Sequence, residues 1–225
     1  MIKLIENNGD LEVFCRSLAV EPFITVDLEF LREKTYYAKL CLIQVGSQHE
    51  CAIIDPLAPE MNLQPFFELM DNPQIVKVFH AGRQDLEIIY FMHHRIPAPL
   101  FDTQVAAQVC GYGESVGYET LVNSLLNLEL DKSFRFTNWE ARPLDKRQLE
   151  YAICDVTHLV PIYLKLQDIL KQTGREGWVK EEIEHLSDPS VYETNPLDVW
   201  QKIKHRSHNA RFLTLLRELA AWRER

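Results

Sequence analysis

The sequence has 225 residues, 46% apolar and 25% charged. That balance can bury a core large enough to outweigh the entropy of ordering the chain, so it excludes global disorder, and the length suits one domain plus an appendage. The net charge of −9 has the wrong sign for gripping nucleic acid by bulk electrostatics alone, yet residues 201–225 hold seven Lys/Arg against two acids, so an acidic body carries a basic tail.

Short β-branched or aromatic runs between turn residues predict strands over 23–29, 38–45, 51–54 and 75–79. The first three are joined by connections too short for crossover helices, which predicts an antiparallel meander. A helix is predicted over 63–70, stopped by Asp71-Asn72-Pro73, so the fourth strand can lie parallel to the first in a mixed sheet. From about Gln84 the strand signals fade. Helices are predicted over 84–93, 103–109, 118–126, 146–173 and 177–186, and from Asn209 on. The long one breaks near Pro161, whose missing N–H interrupts the ladder. The expected fold class is α/β, three-layered, with a mixed sheet of roughly five to six strands and a helical C-terminal side.

The expected division is a domain over 1–186, a linker over 187–208 opened by the two prolines of Ser187–Pro196, and from 209 to 225 the start of a helical module, truncated or packed on the body. Phe212, Leu213, Leu215, Leu216, Leu219 and Trp222 give that last helix an apolar stripe. Cys15, Cys41, Cys51, Cys110 and Cys154 are odd in number and never spaced C-x-x-C, which argues for buried thiols and against a disulfide frame or a zinc knuckle. No apolar run approaches the ~18 residues of a bilayer span, and the first residues carry charges where a signal peptide needs an apolar core. A cytoplasmic location and no membrane partner are therefore expected.

Three segments carry chemistry. In Val26-Asp27-Leu28-Glu29-Phe30, strand alternation points Asp27 and Glu29 to one face and Val26, Leu28 and Phe30 to the other. The two acids read as a chelating pair or as a strand end facing solvent. His80-Ala81-Gly82-Arg83-Gln84-Asp85 follows a strand and opens a helix, placing Asp85 in the first turn as a ligand or as a charge complementing its own helix dipole. His80 reads there as a hydrogen-bonded histidine at a strand end. In Tyr151-Ala152-Ile153-Cys154-Asp155 the i, i+4 spacing puts a phenol and a carboxylate on one helical face. Tyr151 alone would pass for a core residue with a wet tip. Four acids converging at a sheet end would invite Mg2+ or Mn2+, since oxygen-only sites suit these ions and no Cys/His set competes for zinc.

Together the three segments resemble the motifs of the DEDD exonuclease superfamily, with the Y-x-x-x-D ending of its DEDDy branch. The likeness is greatest to the ribonuclease D family, through Thr35–Gly46 (TYYAKLCLIQVG), Phe79–Ile89 (FHAGRQDLEII), Phe101–Ala107 (FDTQVAA) and Asn138–Tyr163. Leu28 stands where bacterial members more usually have threonine. The tail would be the opening of an HRDC-like module.

This resemblance implies an RNase H-like fold and metal-dependent hydrolysis of RNA from the 3′ end to nucleoside 5′-monophosphates, in tRNA 3′ maturation or small-RNA trimming. It implies two divalent ions, Mg2+ or Mn2+, held by Asp27, Glu29, Asp85 and Asp155, with Tyr151 orienting the attacking water. The partner would be a single-stranded RNA 3′ end, tRNA precursors included, and the protein a monomer. A DNA exonuclease of the Werner or proofreading type, and a non-catalytic RNA-binding module, are the alternatives. Leu28, Phe30 and Tyr36-Tyr37 are candidates to pack on the terminal sugar and base, although Phe30 and Tyr37 read more simply as core. His80 and Gln44 are further candidate substrate contacts, Gln44 doubling as an ordinary strand residue. Lys132, Arg135 and Arg142 are candidates to grip phosphates, or else solvated surface charges.

Overall fold

The computed structural model describes residues 2–33, 35–130, 137–193 and 195–224. The chain forms two compact units, residues 1–187 and 188–225. In the first, a six-stranded sheet is built from β1 (Leu4–Ile5), β2 (Phe23–Leu31), β3 (Lys39–Gly46), β4 (Cys51–Ile54), β5 (Val76–Phe79) and β6 (Leu100–Asp102) in the order β1-β4-β3-β2-β5-β6. The β2–β3–β4 pairs are antiparallel, as the short connections predict, while β5 runs parallel to β2 and β6 parallel to β5. The sheet is therefore mixed, and β2 lies inside it with β3 and β5 on its flanks.

Alternation sorts the side chains of β2 and β3. Thr25, Asp27 and Glu29 pair with Gly46, Gln44 and Leu42 and share one face. Val26, Leu28, Ile43 and Val45 take the other face and are buried, so the sheet is covered on both sides. Helices α1 (Asn8–Leu18), α2 (Gln64–Asp71), α3 (Arg83–His93), α4 (Thr103–Val109), α5 (Tyr118–Leu126), α6 (Lys146–Thr157), α7 (Leu159–Thr173) and α8 (Glu176–Leu186) complete the unit. Of these, α6 packs across β2, β3 and β4, and α7 across β2 and β5. The predicted break before Pro161 is present, with His158 closing α6.

Three elements escaped the sequence reading: β1, α1 and β6. Two cations, Lys77 in the core and Arg142 nearer the surface, are each held by a network of hydrogen bonds. Lys77 is 0% exposed, and its ammonium donates to the carbonyls of Asn72 (2.7 Å), Ile75 (2.9 Å) and Ala98. Arg142 forms a bidentate pair with Asp55, at 2.6 and 2.7 Å, and donates its other hydrogens to the carbonyls of Trp139, Ala141 and Cys41. That pinning fixes the segment leading into α6, which then starts on a capping box formed by Asp145 and Gln148.

All five cysteines are free thiols, but only Cys15 and Cys41 are buried; the other three are half-exposed, correcting the expectation that all would be interior. Among the described residues no helix is long and apolar enough to cross a membrane. The second unit holds two short 3-10 turns, Pro189–Val191 and Val199–Lys202, and α9 (Ala210–Arg223), capped by the Asn209 side chain. On α9, Phe212, Leu215, Leu219 and Trp222 are exposed.

Candidate active site

Asp27 and Glu29 leave the same face of β2, and α6 crosses that face with Asp155 in its last turn. One carboxylate oxygen from each of the three lies within 4.8 Å of the other two. The closeness has a visible cause. A Cβ at position 46 would stand 2.8 Å from Thr25 Oγ1 and 3.4 Å from Val156, so only glycine lets α6 settle this near the sheet. Thr25 then donates its hydroxyl to the Val156 carbonyl at 2.9 Å, fixing the turn that carries Asp155.

Asp85 stands just outside this trio, buried in the first turn of α3. The turn before it is held by Asp102, which accepts from the N–H groups of Ala81 (3.1 Å) and Gly82 (2.9 Å) as well as Gln104 (2.8 Å). Position 82 must be glycine, because a Cβ there would meet the Phe79 side chain at 2.6 Å.

The four carboxylates have no ion-pair partner among the described residues. Burial pushes Asp27 up to about 7 against the pull of the Leu28 N–H bond. Burial first, then the charges of Asp27, Asp155 and Asp85, push Glu29 up to about 10. Asp85 and Asp155 are likewise raised well above the ordinary range by burial and by the charge of Asp27. Half-buried acids at this spacing suppress each other's ionisation unless positive charge joins them. With oxygen donors only, the set fits a hard divalent cation of the Mg2+ or Mn2+ kind.

The acids open into a cavity of about 460 Å³ lined by Asp27, Leu28, Glu29, His80, Tyr151 and Asp155, with Gln84, Gly117, Tyr118, Glu119, Thr120, Leu130 and Leu159 completing the wall. That size lies within the usual range of ligand pockets. Tyr151 and His80 both line this cavity, and His80 bonds Thr103 Oγ1 through Nδ1 at 2.9 Å. Leu28 lines the cavity, although strand alternation assigns its buried side chain to the face opposite the acids.

Other candidate substrate contacts are placed differently. Gln44 is 0% exposed, directly opposite Asp27 in the sheet, so it lies beneath the site and not on its surface. Arg142 has every guanidinium hydrogen engaged by Asp55 and main-chain carbonyls, an arrangement that suits a chain anchor better than a phosphate grip. Lys132 and Arg135 lie outside the described residues. Tyr36 and Tyr37, by contrast, are 55% and 52% exposed. Tyr37 is therefore not the core residue expected; it packs edgewise on Tyr36 and tilted on Phe91.

Tyr118, Asp102, Thr25 and Trp139 were missed as site-builders. Tyr118 donates to the carbonyl of Asp155 at 2.7 Å, and buried Trp139 packs 6.2 Å from the Tyr151 ring. The FDT of Phe101–Thr103 was visible in the sequence as a family-like segment, and it is the one signal that would have pointed to Asp102.

A family model described as 3′-5′ exonuclease matches residues 2–171. The chain belongs to the 3′-5′ exonuclease family. It is 51% identical to ribonuclease D of Sphingobium indicum over 98% of its own length and 57% of that protein, and 48% identical to ribonuclease D of Granulibacter bethesdensis over 98% and 56%. The crystal structure of Escherichia coli RNase D shares the fold at a TM-score of 0.90 and 34% identity, over 100% of this chain and 60% of that one. The RNase H-like three-layer architecture and the resemblance to ribonuclease D are thereby borne out. The chain spans a little over half the length of these relatives.

Proposed function

We propose that the exonuclease domain, residues 1–186, removes nucleotides one at a time from RNA 3′ ends as a divalent-cation-dependent exoribonuclease releasing nucleoside 5′-monophosphates. The observation that carries this reading is the trio Asp27, Glu29 and Asp155, gathered within 4.8 Å at the floor of a nucleotide-sized cavity in a 3′-5′ exonuclease fold. Escherichia coli RNase D is described as an exoribonuclease involved in structured RNA processing, which favours RNA over DNA and small structured RNAs, tRNA precursors among them, as substrates.

Asp27, Glu29 and Asp155 would hold one cation, and Asp27 with Asp85 a second. When bound, such ions lower the pKa of water, polarise the phosphate and offset charge on the leaving 3′ oxygen. The chain's residues supply the rest. A free phenol titrates near 10 and is a poor base at neutral pH, so the role that falls to Tyr151 is to orient the attacking water. The His80 and Tyr118 rings wall the cavity beside the terminal nucleotide. The exposed Tyr36 and Tyr37 offer aromatic faces on which unpaired bases can stack.

The test is a 5′-labelled single-stranded RNA incubated with the purified chain and Mg2+ or Mn2+, beside a DNA of matched sequence. Stepwise shortening of the RNA with release of nucleoside 5′-monophosphates is expected. Faster shortening of the DNA would move the assignment to a DNA exonuclease, and no shortening of either strand at any ion concentration would overturn it.

A further inference from the structure

Asp155 occupies an awkward position for an acid. It lies in the last turn of α6, which ends at Thr157 with His158 as its cap. Carbonyls in a final helical turn lose their i+4 donors and carry the negative end of the helix dipole, which disfavours a carboxylate there. Pro161, lacking an N–H, prevents the ladder from running on unbroken into α7.

Two side-chain hydroxyls from distant elements complete this helix end. Thr25 donates to the carbonyl of Val156 at 2.9 Å, and Tyr118 donates to the carbonyl of Asp155 at 2.7 Å, with the Cys154 carbonyl 3.2 Å away. The Tyr118 bond acts on the residue whose carboxylate joins the trio. Tyr118 opens α5 behind Gly117, and its ring is held on the other side by the His80 ring, centroids 5.3 Å apart, which is itself anchored to Thr103. The phenol therefore spans the cavity wall from the β5–α3 turn to the end of α6.

We propose that Tyr118 is a positioning residue for Asp155: its hydroxyl holds the main chain of that acid so that the carboxylate meets those of Asp27 and Glu29, and divalent-cation affinity depends on this hydroxyl. The inference rests on the cation-binding reading of the trio. Residues that orient ligands without touching the ion typically change affinity or activity by about 10–100-fold when lost.

The experiment uses the full chain with Tyr118→Phe and Tyr118→Leu. Mn2+ binding is followed without RNA by the electron paramagnetic resonance of free Mn2+, alongside melting curves and RNA-shortening rates across Mn2+ concentrations. Tyr118→Phe keeps the ring, so the Tm is expected within a few degrees of wild type, as suits loss of one hydrogen bond in a chain of this size. The Mn2+ affinity is expected to fall about tenfold or more. The Mn2+ concentration for half-maximal shortening should rise by the same factor. A Phe variant with the wild-type Mn2+ isotherm would overturn the inference, even if Leu binds weakly, because the ring's packing would then be what matters. Wild-type protein that binds no Mn2+ would overturn the cation-site reading and this inference with it, whereas wild-type binding with an unchanged Phe isotherm would sink this inference alone.

Discussion

The Thr25 hydroxyl and the Val156 carbonyl, 131 residues apart in the chain, meet at 2.9 Å, and Gly46 is the residue that lets them do so. Thr25 shares a strand face with Asp27 and Glu29, and Val156 follows Asp155, so this one bond joins the two halves of the acid cluster. Thr25→Val keeps the shape but leaves a buried carbonyl without its donor, an expected loss of about 1–3 kcal/mol seen as a Tm lower by several degrees. Thr25→Ser should recover most of it. Gly46→Ala is expected to be worse for activity than for folding, because the new Cβ forces α6 and its Asp155 away from the sheet. Melting curves and RNA-shortening rates on the three variants check this.

Asp27→Asn and Asp155→Asn each remove a negative charge from the trio while keeping its volume. Loss of cation charge stabilisation is worth several kcal/mol of barrier, so turnover is expected to fall about a thousandfold or more. The metal-free fold should hold or gain stability, because a buried repulsion disappears. Wild-type turnover in either variant would refute the assignment.

The raised carboxylate values make a pH prediction with a definite sign. Unfolded carboxylates titrate near 4, whereas in the fold Asp27 holds its proton to about 7 and Glu29 to about 10. The folded state thus binds more protons across that window, so metal-free stability is greatest at its acid end and declines as pH rises through it. Cations compete with those protons. With chelator present, the contribution of these groups should lower the Tm between about pH 5.5 and 8, and saturating Mn2+ should raise the Tm by several degrees at the higher pH and little at the lower. Removing the acids' part with Asp27→Asn should flatten both trends.

Arg142 separates two roles that the sequence left open. If it anchors the chain, Arg142→Lys loses the bidentate bond to Asp55 and three carbonyl contacts, and the Tm falls by several degrees. The salt dependence of RNA binding should stay as in wild type, because no phosphate contact is lost. A reduced salt slope with an unchanged Tm would restore the phosphate role.

The strands of the meander and the acids on them were legible because alternation and short turns are local. Asp27 and Glu29 could be assigned to one face from their spacing alone, and Tyr151 with Asp155 from the helical period. What stayed hidden depends on long-range partners or very short elements. β1 has two residues and β6 three, too few for a period to show. Gln44 looks like any polar strand residue until the sheet and α6 close over it. Arg142 looks like a free surface cation because Asp55 lies 87 positions away. Tyr118 acts on a main-chain carbonyl, which no side-chain motif reveals.

The most direct measurement is anomalous diffraction from crystals of this chain soaked in Mn2+. A peak within coordination distance of Asp27, Glu29 and Asp155 is expected, disappearing in the Asp155→Asn variant. Saturating Mn2+ that leaves the cavity without a peak, or binds only elsewhere on the surface, would contradict the claim that these carboxylates form a cation-dependent active site.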